Sequence, residues 1–376
     1  MNGIYYYLIA FVIIWILVAV FHERLSNHGV ELNFPVIMWR TQKLRGLISK
    51  ISNLSPKFWR WYMNIGIVVA FAAMIFITWT IISTLPTIFE TPSVSIVIPG
   101  VDVPGSPIYV PFVYGLIALA TVLVVHEFSH GIQSVGEKIS IKSIGLLLFA
   151  IIPGAFVEPD EDELKAAKRS SRLRVYAAGS IANITLAVIA LVLLSLVSAG
   201  IPHYFEEDGI AIDRIVSDSP SEGILKEGMV LESIDNHKIN GSEGYSKIIS
   251  SFSPGDNVTV KTDQGTYHVT LGKNPNNESR GFFGIQANKH FVLVDDSLGP
   301  LPWILFELAE LFEWIAMLNL GIGLFNLLPL KPLDGGYMLE ILLSYKLPEE
   351  HYKPLVNAIS GVMAMIIVVS IVAGFI

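Results

Sequence analysis

The chain contains no cysteine. Disulfides, thiolate-bound zinc, iron–sulfur clusters and thiol nucleophiles are therefore excluded, and any metal chemistry has to come from histidine and carboxylate side chains. Charge is scarce as well: 15% of the 376 residues are Asp, Glu, Lys or Arg, against 52% hydrophobic residues and a mean hydropathy of +0.57. A single ordinary soluble domain does not have that composition. The net charge of −8 is not the pattern of a nucleic-acid binder, and in so apolar a chain the placement of charge matters more than its sum. The expected fold class is a polytopic α-helical membrane protein with about six transmembrane helices, interrupted by a small β-rich module.

Residues 4–21 form an uncharged apolar run long enough to span a bilayer. His22-Glu23-Arg24 follow it where a signal peptide would have a small-residue cleavage site, so it reads as a retained helix. From Arg40 to Arg60 there are six basic residues and no acid. This reads as a cytoplasmic loop, an interfacial segment on anionic lipid, or both. A second span is expected at about 62–85. The stretch 86–110, rich in Pro, Gly and β-branched residues and without Lys or Arg, reads as a short external loop or hairpin, and a third span runs inward from about Pro111.

That third span ends in His126-Glu127-Phe128-Ser129-His130, in a setting with no other charge. On a helix, positions i and i+4 share a face, so two imidazoles can meet one zinc ion with Glu127 beside them, the H-E-x-x-H metalloprotease signature. Zinc with three protein ligands keeps one place for water and lowers its pKa to about 7, and Glu127 is placed to act as general base. Two histidines and a carboxylate in hydrocarbon are costly unless they bind something, which argues against a chance pentapeptide. At 1.5 Å per residue, His126 lies roughly 22 Å along a core of about 30 Å, so the site is inside the membrane, nearer the cytoplasm.

Residues 143–157 are apolar but too short to span, and Pro153-Gly154 interrupts them. They read as a re-entrant segment beside the site or as an interfacial loop. A fourth span at about 175–199 carries Gly179, Ala182 and Asn183. Small residues let helices approach closely, and Asn183 either bonds a neighbouring helix or holds a substrate backbone. Residues 203–292 change to short alternating runs separated by turn residues, with a helix near 242–252. Asp and Glu outnumber Lys and Arg there by fifteen to eight over 201–300. Their order resembles a PDZ domain, a module that binds extended peptides, often at a free C-terminus, by strand addition. Arg280-Gly281-Phe282-Phe283-Gly284-Ile285 is then either a carboxylate-receiving loop or a closing strand.

After Glu307, Glu310 and Glu313 an uncharged run re-enters the membrane, and Asn326, Pro329 and Pro332 break it before Leu333-Asp334-Gly335-Gly336. About twelve helical residues from Trp314 cover about 18 Å, which brings Asp334 to a depth close to that of His126. Asp334, the acid of that re-entering segment, is the expected third zinc ligand; the alternative is an ordinary Asp-Gly turn. A sixth span follows at about 355–376. Seventeen of the 25 Lys and Arg fall between alternate spans on one side, which puts both termini and the β-rich module outside.

His126-Glu127-Phe128-Ser129-His130, the downstream Asn326-Leu327-Leu328-Pro329-Leu330-Lys331-Pro332-Leu333-Asp334-Gly335 and the PDZ-like insertion together resemble the site-2 protease family of intramembrane zinc metalloproteases. The resemblance covers about 111–345. It implies that His126, His130 and Asp334 bind Zn2+, that Glu127 is the base, and that single-pass regulatory proteins are cut within their membrane segment. The family's Gly-x-x-x-Asn pattern falls on Gly179 to Asn183, with Ser180 where a proline is usual, and implies substrate positioning by Asn183 and Asn326. The expected division is 1–110 for two helices with a basic loop, 111–202 and 293–376 for the catalytic membrane core, and 203–292 for an extracytoplasmic PDZ-like domain. The expected setting is the cell membrane, with the unwound substrate extended along 143–157. Another class of membrane zinc peptidase, a metal transporter, or a non-catalytic peptide-binding scaffold are the alternative readings.

Overall fold

The computed structural model describes residues 4–90, 92–275 and 277–376; Met1–Gly3, Thr91 and Asn276 lie outside the described residues. The chain divides into two units, Met1–Ser195 with Leu308–Ile376, and Leu196–Glu307. The division falls within two long helices.

The first unit opens with α1 (Ile4–Val20) and a short α2 (His22–Ser26). Strands β1 (Val30–Asn33) and β2 (Val36–Thr41) and helix α3 (Arg45–Leu54) follow, then the long α4 (Pro56–Ser83). The basic segment Arg40–Arg60 is not an irregular loop: it runs from the end of β2 through α3 into the first turns of α4, and the hairpin β1–β2, rich in β-branched and aromatic residues, precedes it. After an irregular stretch, where only Ile98 and Val101 form a bridge and the expected hairpin is absent among the described residues, come α5 (Phe112–Gly136), β3 (Ile141–Phe149), β4 (Ile152–Pro159), α6 (Glu161–Ala166) and α7 (Arg169–Tyr204).

The apolar stretch around 143–157 is thus a β-hairpin, closed by Ala150 and Ile151. It belongs to an antiparallel sheet of order β1-β2-β3-β4. Trp39 faces Leu146, which faces Ala155. The backbone groups of a non-spanning apolar segment need partners, and neighbouring strands supply them. The turn is pinned from outside: Ala150, at positive φ, donates its N–H to Pro35 O at 2.7 Å and accepts Trp15 Nε1–H from α1 at 2.8 Å.

The second unit carries β5 (Phe205–Ile215), β6 (Val230–Ile234), β7 (His237–Lys238), α8 (Gly241–Ile249), β8 (Asn257–Thr262), β9 (Gly265–Thr270), β10 (Gly272–Asn274), β11 (Asn277–Phe282) and β12 (Ile285–Leu293). Its main sheet has the order β12-β5-β6-β8-β9, with β7 beside β6, over a core of Ile210, Leu231, Ile234, Val260 and Phe283. The alternating runs of the sequence become these strands, and β12 ends the sheet.

The chain returns through α9 (Ile304–Asn326), α10 (Asp334–Leu343) and α11 (Glu349–Ala373). Among the described residues, five helices are long and apolar enough to cross a membrane, and α1 is a further apolar helix of 17 residues. The protein is a multi-pass membrane protein. Around the site, α4 packs Met63, Ala70 and Met74 against Ala177 and Ile181 of α7 and Met338 of α10. Small residues govern how close these helices come.

Candidate metal centre

Two remote segments, α5 and the start of α10, meet at one point. His126 and His130 stand one turn apart on α5, and their Nε2 atoms are 3.1 Å from each other. Asp334, the first residue of α10, brings Oδ2 to 3.3 Å from His126 Nε2 and 3.4 Å from His130 Nε2. One ligand atom from each of the three lies within 4.8 Å of the others. Two imidazoles and a carboxylate are an ordinary donor set for zinc.

The surroundings orient these donors. His130 Nδ1–H donates to Val175 O at 2.7 Å, which leaves Nε2 as the ring's free electron pair. Ser180 Oγ–H donates to Asp334 Oδ2 at 3.2 Å. Asn183, fully buried, places its side-chain nitrogen 3.3 Å from His126 Nδ1, while its Oδ1 has no partner among the described residues. Turning that amide over lets His126 Nδ1–H donate to Oδ1 and frees Nε2 on this ring too. The structure thus brings Asn183 against a histidine of the cluster. Asn326, the last residue of α9, lines the same cavity.

Gly179 explains how α7 comes so near. A Cβ there would lie 2.5 Å from His130 Nε2 and 2.6 Å from His126 Nε2, so only glycine leaves the space beside the two nitrogens open. Gly335 does the same for Asp334. Any side chain on it would run into the Leu327 carbonyl, and its absence lets the first turn of α10 settle on the fully buried Leu327 and Leu328. This cradle, which a single methyl would fill, fits a metal ion bound by His126, His130 and Asp334.

Glu127 lies beside the cluster and accepts the Val157 N–H of β4 through Oε2 at 2.9 Å. The cavity over these residues measures about 490 Å3 and is lined further by Glu158, Glu161, Tyr176, Leu333 and Tyr337. Arg40 of β2 and Ser143 of β3 both donate to Glu158 at 2.5 Å, a row of contacts across the sheet that ends at the cavity. Just past the end of α5, the Glu137 carboxylate receives Nε and Nη2 of the buried Arg174 at 2.7 and 3.1 Å, and Arg174 Nη1 also reaches Asn64 of α4. The pair ties α5, α7 and α4 together one residue from Val175.

The partners missing from a reading of the sequence are mostly backbone groups, Val157 N–H and Val175 O, which leave no side-chain signal. Ser180 and Gly179 did leave one. Tyr176, Gly179, Ser180 and Asn183 fall at i, i+3, i+4 and i+7, a small and polar stripe on an otherwise apolar helix.

Comparison with known proteins agrees with this geometry. An uncharacterized protein of Methanocaldococcus jannaschii is 29% identical over 230 residues, 61% of this chain and 57% of its own length. The membrane-bound transcription factor site-2 protease homolog of Arabidopsis thaliana is 28% identical over 159 residues, 42% of this chain and 30% of its own. The regulator of sigma-W protease RasP of Bacillus subtilis is 24% identical over 257 residues, 55% and 59% of the two chains. The chain thus spans less than two thirds of each of these three relatives. The solved PDZ domain of an SdrC-like protein from Listeria innocua is 24% identical and covers 22% of this chain and 97% of its own, with a TM-score of 0.21. The model of peptidase family M50 matches residues 114–367, more than half of the chain and the whole of the metal centre, and the protein belongs to that family.

Proposed function

We propose that the protein is an intramembrane zinc metalloprotease that cuts the transmembrane segments of membrane-anchored regulatory proteins. The observation that carries this reading is the convergence of His126, His130 and Asp334, from segments two hundred residues apart, with Glu127 beside them. Zinc held there would supply Lewis-acid chemistry, polarising a peptide carbonyl and lowering the pKa of water to about 7. Glu127 is the residue that would accept a proton from the attacking water at a carboxylate oxygen and return it to the departing amine nitrogen. The Val157 N–H holds one of its oxygens in place meanwhile.

A helical substrate hides its peptide bonds, so it has to unwind. The last strand of the sheet, β4, offers an open edge next to Glu127, where an extended segment can pair by strand addition. Asn326, which lines the cavity, and Asn183, buried against His126, are the side-chain amides assigned to positioning the substrate. The distribution of Lys and Arg supports a metal centre inside the membrane nearer its cytoplasmic face, with the second unit and both termini extracytoplasmic in a cell membrane. The second unit, with β12 at the end of its sheet, serves as a PDZ-like receiver for an extended peptide or a C-terminus left by an earlier cut.

Zinc analysis of the detergent-purified protein tests the centre. About one zinc is expected in the wild type, and much less in His126→Ala and Asp334→Ala. Zinc that depends on His126 and not on Asp334 would point to another class of zinc peptidase, and no zinc in any folded preparation would leave a peptide-binding scaffold.

A further inference from the structure

Glu127 borders two cavities. The first holds the histidines and Asp334. The second, of about 440 Å3, lies between α5 and the sheet, and its walls are mostly apolar, with Val124 and Phe128 of α5, Trp39 of β2, Leu146 of β3 and Ala155 of β4; Lys43 and Glu127 are its charged members. Strand register explains how they share a wall. Trp39, Leu146 and Ala155 are directly opposed across three strands, and Thr41, Ile144 and Val157 form the next row. Opposed residues stand on one face of a sheet. Val157, the β4 member of that second row, also holds Glu127, so the base and the apolar wall are joined through one residue.

Resting on the function proposed above, we propose that this second cavity is a specificity pocket for a large apolar side chain of the unwound substrate, within two residues of the bond that is cut. A strand rises about 3.3 Å per residue and alternates its side chains between faces, so a segment paired along β4 with its carbonyl at Glu127 turns a nearby side chain toward this wall. The volume falls within the range of ligand pockets, about 300–1,000 Å3. An aliphatic or aromatic side chain is what a transmembrane substrate brings, and it matches the apolar part of this wall. Trp39 and Thr41 precede residue 114, so part of this wall lies outside the family's matched region. The choice of substrate is then set partly by the hairpin β1–β2, which lies outside the matched region.

The test uses the full-length protein and transmembrane peptides that differ only at one of the two residues on either side of the bond cut, carrying Gly, Ala, Leu or Phe. In the wild type, Leu or Phe is preferred to Gly at one of these positions. Ala155→Leu, which fills the pocket, lowers the kcat/KM ratio of the Leu peptide to the Gly peptide at least tenfold, the scale on which a methylene matters in an apolar pocket. Trp39→Ala, which enlarges it, shifts the ratio toward Phe. Zinc content of each variant reports that the centre is intact. Variants that hold zinc and change all peptides by one common factor, or none, overturn the pocket and leave proteolysis standing. A zinc-loaded wild type that cuts no peptide of the series overturns the protease reading and the pocket with it.

Discussion

Replacing Gly179 by alanine separates the metal centre from its surroundings in a single methyl. The new Cβ would sit 2.5 and 2.6 Å from the two Nε2 atoms, about an ångström inside ordinary contact distance. The rings cannot both retreat freely, because His130 is tied to Val175 O and His126 faces Asn183. Overpacking of this kind costs about 1–3 kcal/mol. Since about 1.4 kcal/mol is a tenfold change in an equilibrium constant, zinc affinity should fall by roughly 5- to 150-fold. Without zinc the penalty is smaller, because no shared ion fixes the two rings to each other and Ala in a helix interior is favoured over Gly by about 1 kcal/mol, so the variant should lose less stability metal-free than zinc-loaded. Chelator competition gives the affinity, and thermal unfolding with and without zinc gives the difference. A Gly179→Ala protein with unchanged zinc affinity would refute the placement of the ion between these rings.

Three further outcomes follow from the same geometry. Glu127→Gln should keep its zinc, because the residue lies outside the ligand trio, and lose about 100-fold or more in cleavage of a membrane-tethered substrate, as expected for a general base; unchanged proteolysis would exclude that role. Ser180→Ala removes the hydrogen bond to Asp334 and should lower zinc affinity by about tenfold, read in the same competition assay. For Glu137, burial pushes the carboxyl up, but hydrogen bonds from Arg174 and Ser171 and the charges of Arg174 and Arg60 outweigh it and hold the pKa below the ordinary value. The folded form is therefore the weaker proton binder, and this contribution to stability is present above about pH 4.3 and fades as pH falls through the lower folded value. Glu137→Ala, which leaves Arg174 buried without its carboxylate, should cost up to about 3 kcal/mol at neutral pH and flatten that acid limb, as measured by unfolding in detergent across pH 3–6.

Much of this protein was legible in its sequence. The apolar runs set the spanning helices, since hydrocarbon admits only a backbone that satisfies its own polar groups, and the alternating runs at 210–216, 229–235, 257–262 and 266–271 became β5, β6, β8 and β9. The His126–His130 spacing put two imidazoles on one face because an α-helix returns to that face every 3.6 residues. Asp334 was singled out by its depth and its isolation from other acids. Those are local or one-dimensional facts, and periodicity and hydropathy carry them.

What tertiary structure alone decided is how segments distant in the chain touch. The basic stretch Arg40–Arg60 read as a loop because charge dominated its average, while residues 30–41 just before and into it form a hairpin whose second strand pairs with β3, more than a hundred residues away. The same pairing turned 143–157 from a re-entrant segment of unknown form into a sheet that presents Val157 N–H to Glu127. Register, the seat of Gly179 against two rings, and the hold of Val175 O on His130 all depend on distances between elements. No residue's identity encodes such a distance, because it is set by how three helices and a sheet pack at once.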